Sequence, residues 1–275
     1  MIREILKENK FKITFIYIIL IVQYCLFSTI PFLLGKAIDG LLQSENTNFY
    51  YFLIAEISVL FIGFFLKRYD TKVFMKIFSE KAIKAIQILR DKNIMPAKIA
   101  TRYQLAGFYS DFFEFSLPQI LQAIINATAA LTMLFITDYR IGIIASILYA
   151  FMILNNFKIS LKTQQVDLDI QHTKESITHS LMENQEYKND LTFLGHLYVK
   201  KSNLDAANFF LNDGLSITMH ICVLLMLVYT QPSIGSITST LMYVDKIYGT
   251  TFNVFYFFMF MRSIENTNKL IKDLD

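Results

Sequence analysis

The chain has 275 residues, of which 54% are hydrophobic and 18% are charged, and its formal net charge is +3. Soluble domains carry about 45–50% apolar and roughly 25% charged residues, so this composition argues against a soluble globular protein. Its apolar residues do not alternate with polar ones, which excludes the pattern of a transmembrane β-barrel. With only 9 glycines and 4 prolines, the sequence predicts few, long helices rather than many turns.

Six apolar segments follow one another along the chain and predict six membrane-spanning helices. They cover residues 13–34, 49–66, 120–136, 141–157, 215–230 and 236–261. A helix needs about 20 apolar residues to cross the hydrocarbon core, so the third to fifth segments need polar flanks that continue as helix. The prediction is an all-α membrane protein with a single six-helix domain over residues 1–275.

The positive charges are concentrated in four places and predict the orientation. Of the 26 Lys and Arg residues, 23 lie in the N-terminal tail, in the long connections 67–119 and 158–214, or after the sixth segment. The connections 43–48, 137–140 and 231–235 are short and nearly free of positive charge. The positive-inside rule then places both termini and both long connections in the cytoplasm, with the chain in a bacterial inner (cytoplasmic) membrane.

The long connections are predicted to be helical extensions of the spans. Residues 64–95 contain no Pro and no Gly, and their apolar residues recur at helical spacing with Lys between them. A helix over residues 49–93 would be on the order of 65 Å long. Residues 143–194 also lack Gly and Pro, so the fourth span is expected to run toward Leu191, with a reversal near Gly195. The third span is expected to be entered through residues 106–115 and a kink at Pro118.

Four ionisable side chains inside the predicted spans are candidates for a translocation path: Glu56, His220, Asp245 and Lys246. Ionisable groups at membrane depth are costly and usually face a cavity or a partner. A hydrogen bond to a neighbouring helix, or solvation near the interface, would also explain Glu56. Asp245 and Lys246 point about 100° apart on one helix and cannot face the same neighbour. One could line a cavity while the other pairs with Glu56 or with a second subunit.

Several short stretches resemble the transmembrane domain of exporter-type ABC transporters. The first span ends in P-F-L-L-G-K-A-I-D-G-L over residues 31–41, and residues 135–140 read F-I-T-D-Y-R between spans three and four. Asp111 followed by Leu117-Pro118 is similar to the family's approach to its third span. Residues 235–237 and 241–244 are similar to the start of its sixth span. No one motif is specific, but their order and spacing cover nearly the whole chain.

This resemblance implies a dimer, homo- or heteromeric, in which helices swap between subunits and the cytoplasmic tips dock on nucleotide-binding domains. Two tips are expected, at residues 90–102 and 188–196. The candidate coupling residues are Arg90, Pro96, Arg102, Asn189, Gly195 and His196.

The chain departs from a typical half-exporter in stopping at Asp275, soon after the sixth segment. A phosphate-binding loop requires G-x-x-x-x-G-K-[ST], but residue 30 is Ile and Ala37 follows Gly35-Lys36. We therefore expect no catalytic residue and no bound cofactor in this chain, and ATP on a separate nucleotide-binding subunit. The rival hypothesis is an ATPase-independent structural, regulatory or carrier protein on the same scaffold. A third possibility is that this chain is a fragment of a longer transporter. Residues 266–275 have the composition of a natural polar helix end, which argues against it.

No metal site and no nucleic-acid surface are predicted. The four histidines are scattered, and His172 and His179 share a helix face without a carboxylate that would complete a zinc site. The Lys-rich connections also carry Asp70, Glu80 and Asp91, which is typical of a solvated helix face rather than a nucleic-acid surface. Membrane lipid is the other expected partner.

Overall fold

The computed structural model describes residues 9–91, 111–182, 187–230 and 232–272. Six long α-helices occupy these residues: α1 (Lys10–Leu42), α2 (Thr47–Asp91), α3 (Leu117–Thr137), α4 (Tyr139–Met182), α5 (Lys188–Thr230) and α6 (Ile234–Lys272). A π-helical turn, Phe112–Ser116, leads directly into α3. The described residues contain no β-strand, which confirms the predicted all-α class.

Helices α1 to α5 are each long and apolar enough to cross a membrane, as far as the described residues are concerned. Helix α6 does not reach that apolarity, although it was predicted as the sixth span. It contacts α1, α3, α4 and α5, so it lies at the centre of the bundle. A central helix faces protein rather than lipid, and polar side chains on it can find partners. Its lower apolarity therefore follows from its position.

Three short connections lie at one end of the bundle, here called the turn end; their described residues are 43–46, Asp138 and 232–233. Ser44 has φ 62°, the left-handed conformation that lets α1 reverse into α2. The Asp138 carboxylate accepts a hydrogen bond from the Arg140 amide at 2.7 Å and so caps α4. The three short turns predicted from the sequence are therefore present.

Two apolar cores hold the helices together near the turn end and along α1. The larger joins α3, α4, α5 and α6 around Leu134, Met152, Val223 and Val244. The other joins α1, α2 and the π-helical turn. Several large side chains on the outer face of α2 are exposed, among them Leu60, Phe61, Phe64 and Phe65. Exposed apolar surface of this extent is typical of a face covered by lipid or by a second subunit.

Two of the sequence stretches that carry the family resemblance touch each other where α1 crosses α6. The backbones meet at Gly35 and Gly235, and a Cβ on Gly35 would lie 2.5 Å from the Gly235 carbonyl oxygen. The Asp39 carboxylate accepts hydrogen bonds from the Gly235 amide at 2.9 Å and from the Ser233 hydroxyl at 2.6 Å. Asp39 on α1 thus caps the first turn of α6, where a carboxylate is favoured by the exposed amides and the helix dipole.

The long helical extensions are confirmed, but their ends differ from prediction. Helix α2 runs from Thr47 to Asp91, close to the expected 49–93. Helix α4 ends at Met182 rather than near Leu191, and the reversal predicted at Gly195 is wrong, because Gly195 and His196 lie inside α5. Leu197 packs on Val166 and Ile170 of α4. That packing outweighs the roughly 1 kcal/mol by which Gly disfavours a helix interior.

Pro118 lies at the second residue of α3, just after the π-helical turn. Of the predicted approach through residues 106–115, residues 106–110 lie outside the described residues. Proline has no amide hydrogen, so it cannot donate the backbone hydrogen bond that the interior of an α-helix requires. The π-helical turn before Pro118 has a different backbone hydrogen-bond pattern, so that bond is not required at this position. Within this turn Glu114 is buried and accepts hydrogen bonds from Lys67 at 3.1 Å and Thr71 at 2.8 Å. The turn therefore joins the start of α3 to α2.

Candidate functional site

A polar cavity of about 380 Å³ lies between α1, α3 and α6 in the middle of the bundle. Counted along the helices at 1.5 Å per residue, its walls lie about 12–28 Å from the turn end. That depth falls within the roughly 30 Å of a hydrocarbon core. The cavity is lined by Phe27, Gln122, Asn126, Met242, Asp245, Lys246, Gly249, Thr250 and Asn253.

Asn126 provides the clearest unsatisfied group in this cavity. Asn126 is 5% exposed, and its Oδ1 atom has no hydrogen-bond partner among the described residues. A buried amide oxygen without a partner loses the hydrogen bonds that water would give it, which costs about 1–3 kcal/mol. Asn126 was not predicted as a site residue; its position inside the apolar segment 120–136 is the signal that could have identified it.

Lys246 is held by α1 from the opposite wall. Its Nζ donates a hydrogen bond to the Phe27 carbonyl at 2.6 Å and lies 3.6 Å from the centre of the Phe27 ring. An ammonium over an aromatic face is attracted by the negative face of the ring. Glu56 on α2 is also close enough to interact electrostatically with Lys246. Lys246 therefore has three interactions that compensate its charge at membrane depth.

Asp245, the neighbouring residue, turns instead toward α5. Its Oδ1 lies 3.1 Å from Nε2 of His220, and the other ring nitrogen, Nδ1, lies 2.9 Å from the Ser216 carbonyl oxygen. Both ring nitrogens thus face oxygen acceptors. Which ring nitrogen donates depends on the tautomer, and either arrangement ties α6 to α5 through His220.

The structure places all four predicted path residues in one connected region. Asp245 and Lys246 line the cavity, His220 contacts Asp245, and Glu56 lies near Lys246. The two adjacent side chains on α6 do point to different neighbours, α5 and α1, as helix geometry predicted. Their role in translocation stays a prediction.

A comparison with known protein families identifies the family of this chain. The family described as ABC transporter transmembrane region matches residues 2–239, from before α1 into the first turns of α6. The chain belongs to this family. No curated protein matches the sequence. The matched region includes the α1–α6 crossing at Gly35 and Gly235, so the residues that suggested the resemblance lie inside the family match.

In this ABC transporter transmembrane region, sequence reasoning missed a buried asparagine network next to the cavity. Asn156 on α4 donates to the Thr251 carbonyl of α6 at 2.9 Å and accepts from Asn212 of α5 at 2.8 Å. Asn208, one turn from Asn212, accepts from both Asn212 and Asn155. The signal was available, because Asn155-Asn156 interrupts the fourth apolar segment and Asn208 and Asn212 are four residues apart.

The candidate coupling residues are only partly described. Pro96 and Arg102 lie outside the described residues, and Arg90 lies in α2 without a described side chain. Residues 158–182 of α4 and 188–214 of α5 form the α4–α5 extension, and Asn189 is exposed at its end, in the first turn of α5. Gly195 and His196 are also exposed, but one to two turns further along α5. Of the predicted residues on this extension, Asn189 lies nearest its end.

The described residues contain no group of three or more His, Cys, Asp and Glu side chains that could hold a metal ion.

Proposed function

We propose that this chain forms the substrate translocation path of an ABC-type transporter, working as a dimer with ATP hydrolysed by a separate nucleotide-binding subunit. The observation that carries the proposal is the polar cavity at membrane depth, with Asn126, Asp245 and Lys246 in its walls. Polar groups of this kind are expensive within a hydrocarbon layer unless they serve a pathway or a helix contact. Asn126 Oδ1 has no hydrogen-bond partner on another helix among the described residues.

Support for a cytoplasmic partner comes from the α5 end of the α4–α5 extension. Leu191 and Phe193 are each 53% exposed, and Tyr187 is also exposed. Leu191 lies about 58 Å along α5 from its turn-end residue Thr230, about twice the hydrocarbon thickness. Lipid tails do not reach that far. Apolar side chains so placed suit docking on another protein, and in this family that protein is the nucleotide-binding domain.

The distribution of positive charge supports the orientation in which these extensions enter the cytoplasm. The turn end then faces the opposite side of the membrane. Rocking of the extensions by the ATPase would open the cavity first to one side and then to the other.

The partner is tested by purifying tagged protein in mild detergent and identifying co-purified proteins by mass spectrometry. We expect a stoichiometric nucleotide-binding protein, lost in the L191S/F193S double variant. The matched control is V199S, because Val199 is also exposed on α5 outside the hydrocarbon depth. Recovery of this chain alone, without ATPase activity, would favour the rival ATPase-independent function on the same scaffold.

The path itself is tested by cysteine labelling in a variant without Cys25 and Cys222. Gly249 lines the cavity with no atom within 4 Å of an added Cβ, whereas Ala130 is 0% exposed. We expect a charged, water-soluble thiol reagent to label Gly249→Cys and not Ala130→Cys. ATP and vanadate, added to the complex with its ATPase, should change the labelling rate at Gly249→Cys by several-fold. An unreactive Gly249→Cys would refute a water-accessible path here.

A further inference from the structure

A second cavity, of about 520 Å³, lies between the beginning of α1 and the part of α2 that follows its apolar segment. Its wall consists of Asn9, Lys12, Tyr69, Lys72, Val73, Lys76, Ile77 and Glu80. Counted along the helices, these residues lie about 33–50 Å from the turn end. A bilayer measures about 30 Å across its hydrocarbon core and about 40–45 Å with both headgroup layers. The cavity therefore begins at the depth of the headgroups that lie farther from the turn end.

The wall of this cavity carries an excess of positive charge. It contains the ammonium groups of Lys12, Lys72 and Lys76 and one carboxylate, that of Glu80, which lies 4.0 Å from Lys76. All three lysines are exposed, so a ligand can reach them. Residues 1–8, which precede the cavity in the sequence, contain two basic and two acidic side chains and leave this excess unchanged. Lys12 on α1 and Lys72 on α2 thus bring two uncompensated charges from two different helices.

Toward the turn end, the cavity continues on α2 as a stripe of exposed aromatic side chains. Phe61, Phe65 and Tyr69 follow one another at intervals of four residues and Lys72 comes three residues later, so they lie on one face of the helix. Phe61 and Phe65 are more than half exposed, and their ring centres are 6.5 Å apart. They lie about 21–27 Å from the turn end, within the hydrocarbon core. The stripe therefore changes from apolar to cationic at the depth where lipid acyl chains give way to headgroups.

The junction between the apolar and the cationic part is formed by Tyr69 of α2 and Phe15 of α1. Their rings meet edge to face, with their centres 6.1 Å apart, and both side chains are exposed. Tyrosine, with an apolar ring and a polar tip, is enriched at the boundary between hydrocarbon and water. The position of Tyr69 thus agrees with the depth counted along α2.

We propose that the cavity wall together with Phe61 and Phe65, here called the α1–α2 groove, binds one anionic phospholipid. Its phosphate contacts Lys12 and Lys72, and an acyl chain lies along Phe61 and Phe65. Basic pockets between membrane helices bind anionic headgroups. The exposed apolar stripe at hydrocarbon depth favours a ligand with acyl chains over a soluble phosphate compound. The bound lipid would join the beginning of α1 to α2 at the membrane surface. The proposal requires only that the bundle spans a bilayer, so it does not depend on the transport function.

The groove is tested with a fluorescent reporter. The chain contains no Trp, so Phe65→Trp provides a single tryptophan in the groove without background. This variant is reconstituted in nanodiscs of phosphatidylcholine and phosphatidylglycerol, in which one of the two lipids carries brominated acyl chains that quench tryptophan. The quenching by each lipid then measures which one lies against the groove. We expect phosphatidylglycerol to be preferred by at least about fivefold, because one lysine near an anionic headgroup already favours it by about that factor.

Two double variants of the Phe65→Trp protein separate a specific groove from a basic surface. K12Q/K72Q removes both lysines of the groove and should reduce the preference to less than about twofold. The matched control is K162Q/K200Q, which removes two exposed lysines on α4 and α5 at similar distances of about 35 and 45 Å from the turn end. It should retain the full preference.

A preference for phosphatidylglycerol that K12Q/K72Q loses and K162Q/K200Q keeps would support the groove. The proposal is overturned if the Phe65→Trp protein shows no preference. It is also overturned if the two double variants behave alike, because the lipid would then respond to the general positive charge of the protein or to none of these lysines.

Discussion

The buried side chain of Asn156 joins three helices of the bundle by hydrogen bonds. It is 0% exposed, and its amide bonds both Thr251 of α6 and Asn212 of α5. Hydrogen bonds between membrane helices contribute about 0.6–2 kcal/mol each. The asparagine network therefore holds α4, α5 and α6 in one register beside the cavity lined by Asn126, Asp245 and Lys246.

Asn156→Leu should lower the melting temperature by roughly 2–8 °C, corresponding to a loss of about 1–2 kcal/mol. The reason is that Leu removes both hydrogen bonds and leaves the Asn212 amide without this partner in a buried site. Thermal unfolding of the purified protein in detergent measures the shift. Asn203→Ala, an exposed asparagine on α5, is the control and should be neutral. Equal melting temperatures for the two variants would contradict the structural role of the network.

At the scale of helices, the α1–α6 crossing depends on the absence of a side chain at Gly235. A Cβ there would lie 2.6 Å from Cγ of Asp39 and would also strike the Gly35 carbonyl oxygen. These neighbours are backbone and a bonded carboxylate, so they have little freedom to move. The two helices would have to separate.

Gly235→Ala is therefore expected to destabilise the fold by about 1–3 kcal/mol, as overpacking generally does. Gly249→Ala on the same helix is the matched control, because nothing lies within 4 Å of its added Cβ. We expect that control to be neutral or stabilising by up to about 1 kcal/mol. The melting temperatures of both variants measure this difference. If the Gly235→Ala protein is as stable as the Gly249→Ala protein, the close crossing of α1 and α6 is wrong.

Gly195 tests where the α4–α5 extension reverses. Inside a continuous, exposed helix, Gly195→Ala should stabilise the protein by roughly 0.4–1 kcal/mol, because alanine loses less backbone entropy on folding. Nothing lies within 4 Å of the added Cβ. A small rise in melting temperature is the expected result. A loss of stability would instead indicate a turn at Gly195, as the sequence had suggested.

At the scale of the whole molecule, the orientation in the membrane is the prediction to be tested. The test uses a chain without Cys25 and Cys222, into which a single cysteine is introduced either at Glu45 in the first turn or at Lys162 on α4. These two positions should lie on opposite sides of the membrane. Lys162 is about 35 Å along α4 from its first residue, past the hydrocarbon core. The positive-inside rule places Lys162 in the cytoplasm and Glu45 outside.

A membrane-impermeant maleimide on right-side-out vesicles should label Glu45→Cys at once. Lys162→Cys should react only after the vesicles are permeabilised. Both residues are exposed, so differences in burial do not explain such a result. The reverse labelling pattern would show that the long extensions face away from the cytoplasm. The proposal that an ATPase docks on them would then be wrong.

The candidate site was only partly predictable. Glu56, His220, Asp245 and Lys246 could be selected because an ionisable group in an apolar segment stands out by its cost alone. Asn126 was missed because it is uncharged, and an uncharged polar side chain costs less free energy within the membrane than an ionisable one. It stands out only in the structure, as a buried amide with an unpartnered Oδ1 in a residue that lines the cavity, and that depends on where α1 and α6 lie relative to α3.

The sequence by itself determined the all-α class, the order of the apolar segments, the short turns and the long helical extensions, because hydropathy, helical periodicity and the positions of Gly and Pro are local properties. Only the tertiary structure decided that α6 is central, that Gly35 meets Gly235 with Asp39 capping α6, and that α5 continues through Gly195. These features arise from packing between residues far apart in the chain. Such packing can outweigh a local preference of about 1 kcal/mol and leaves no periodic trace in the sequence.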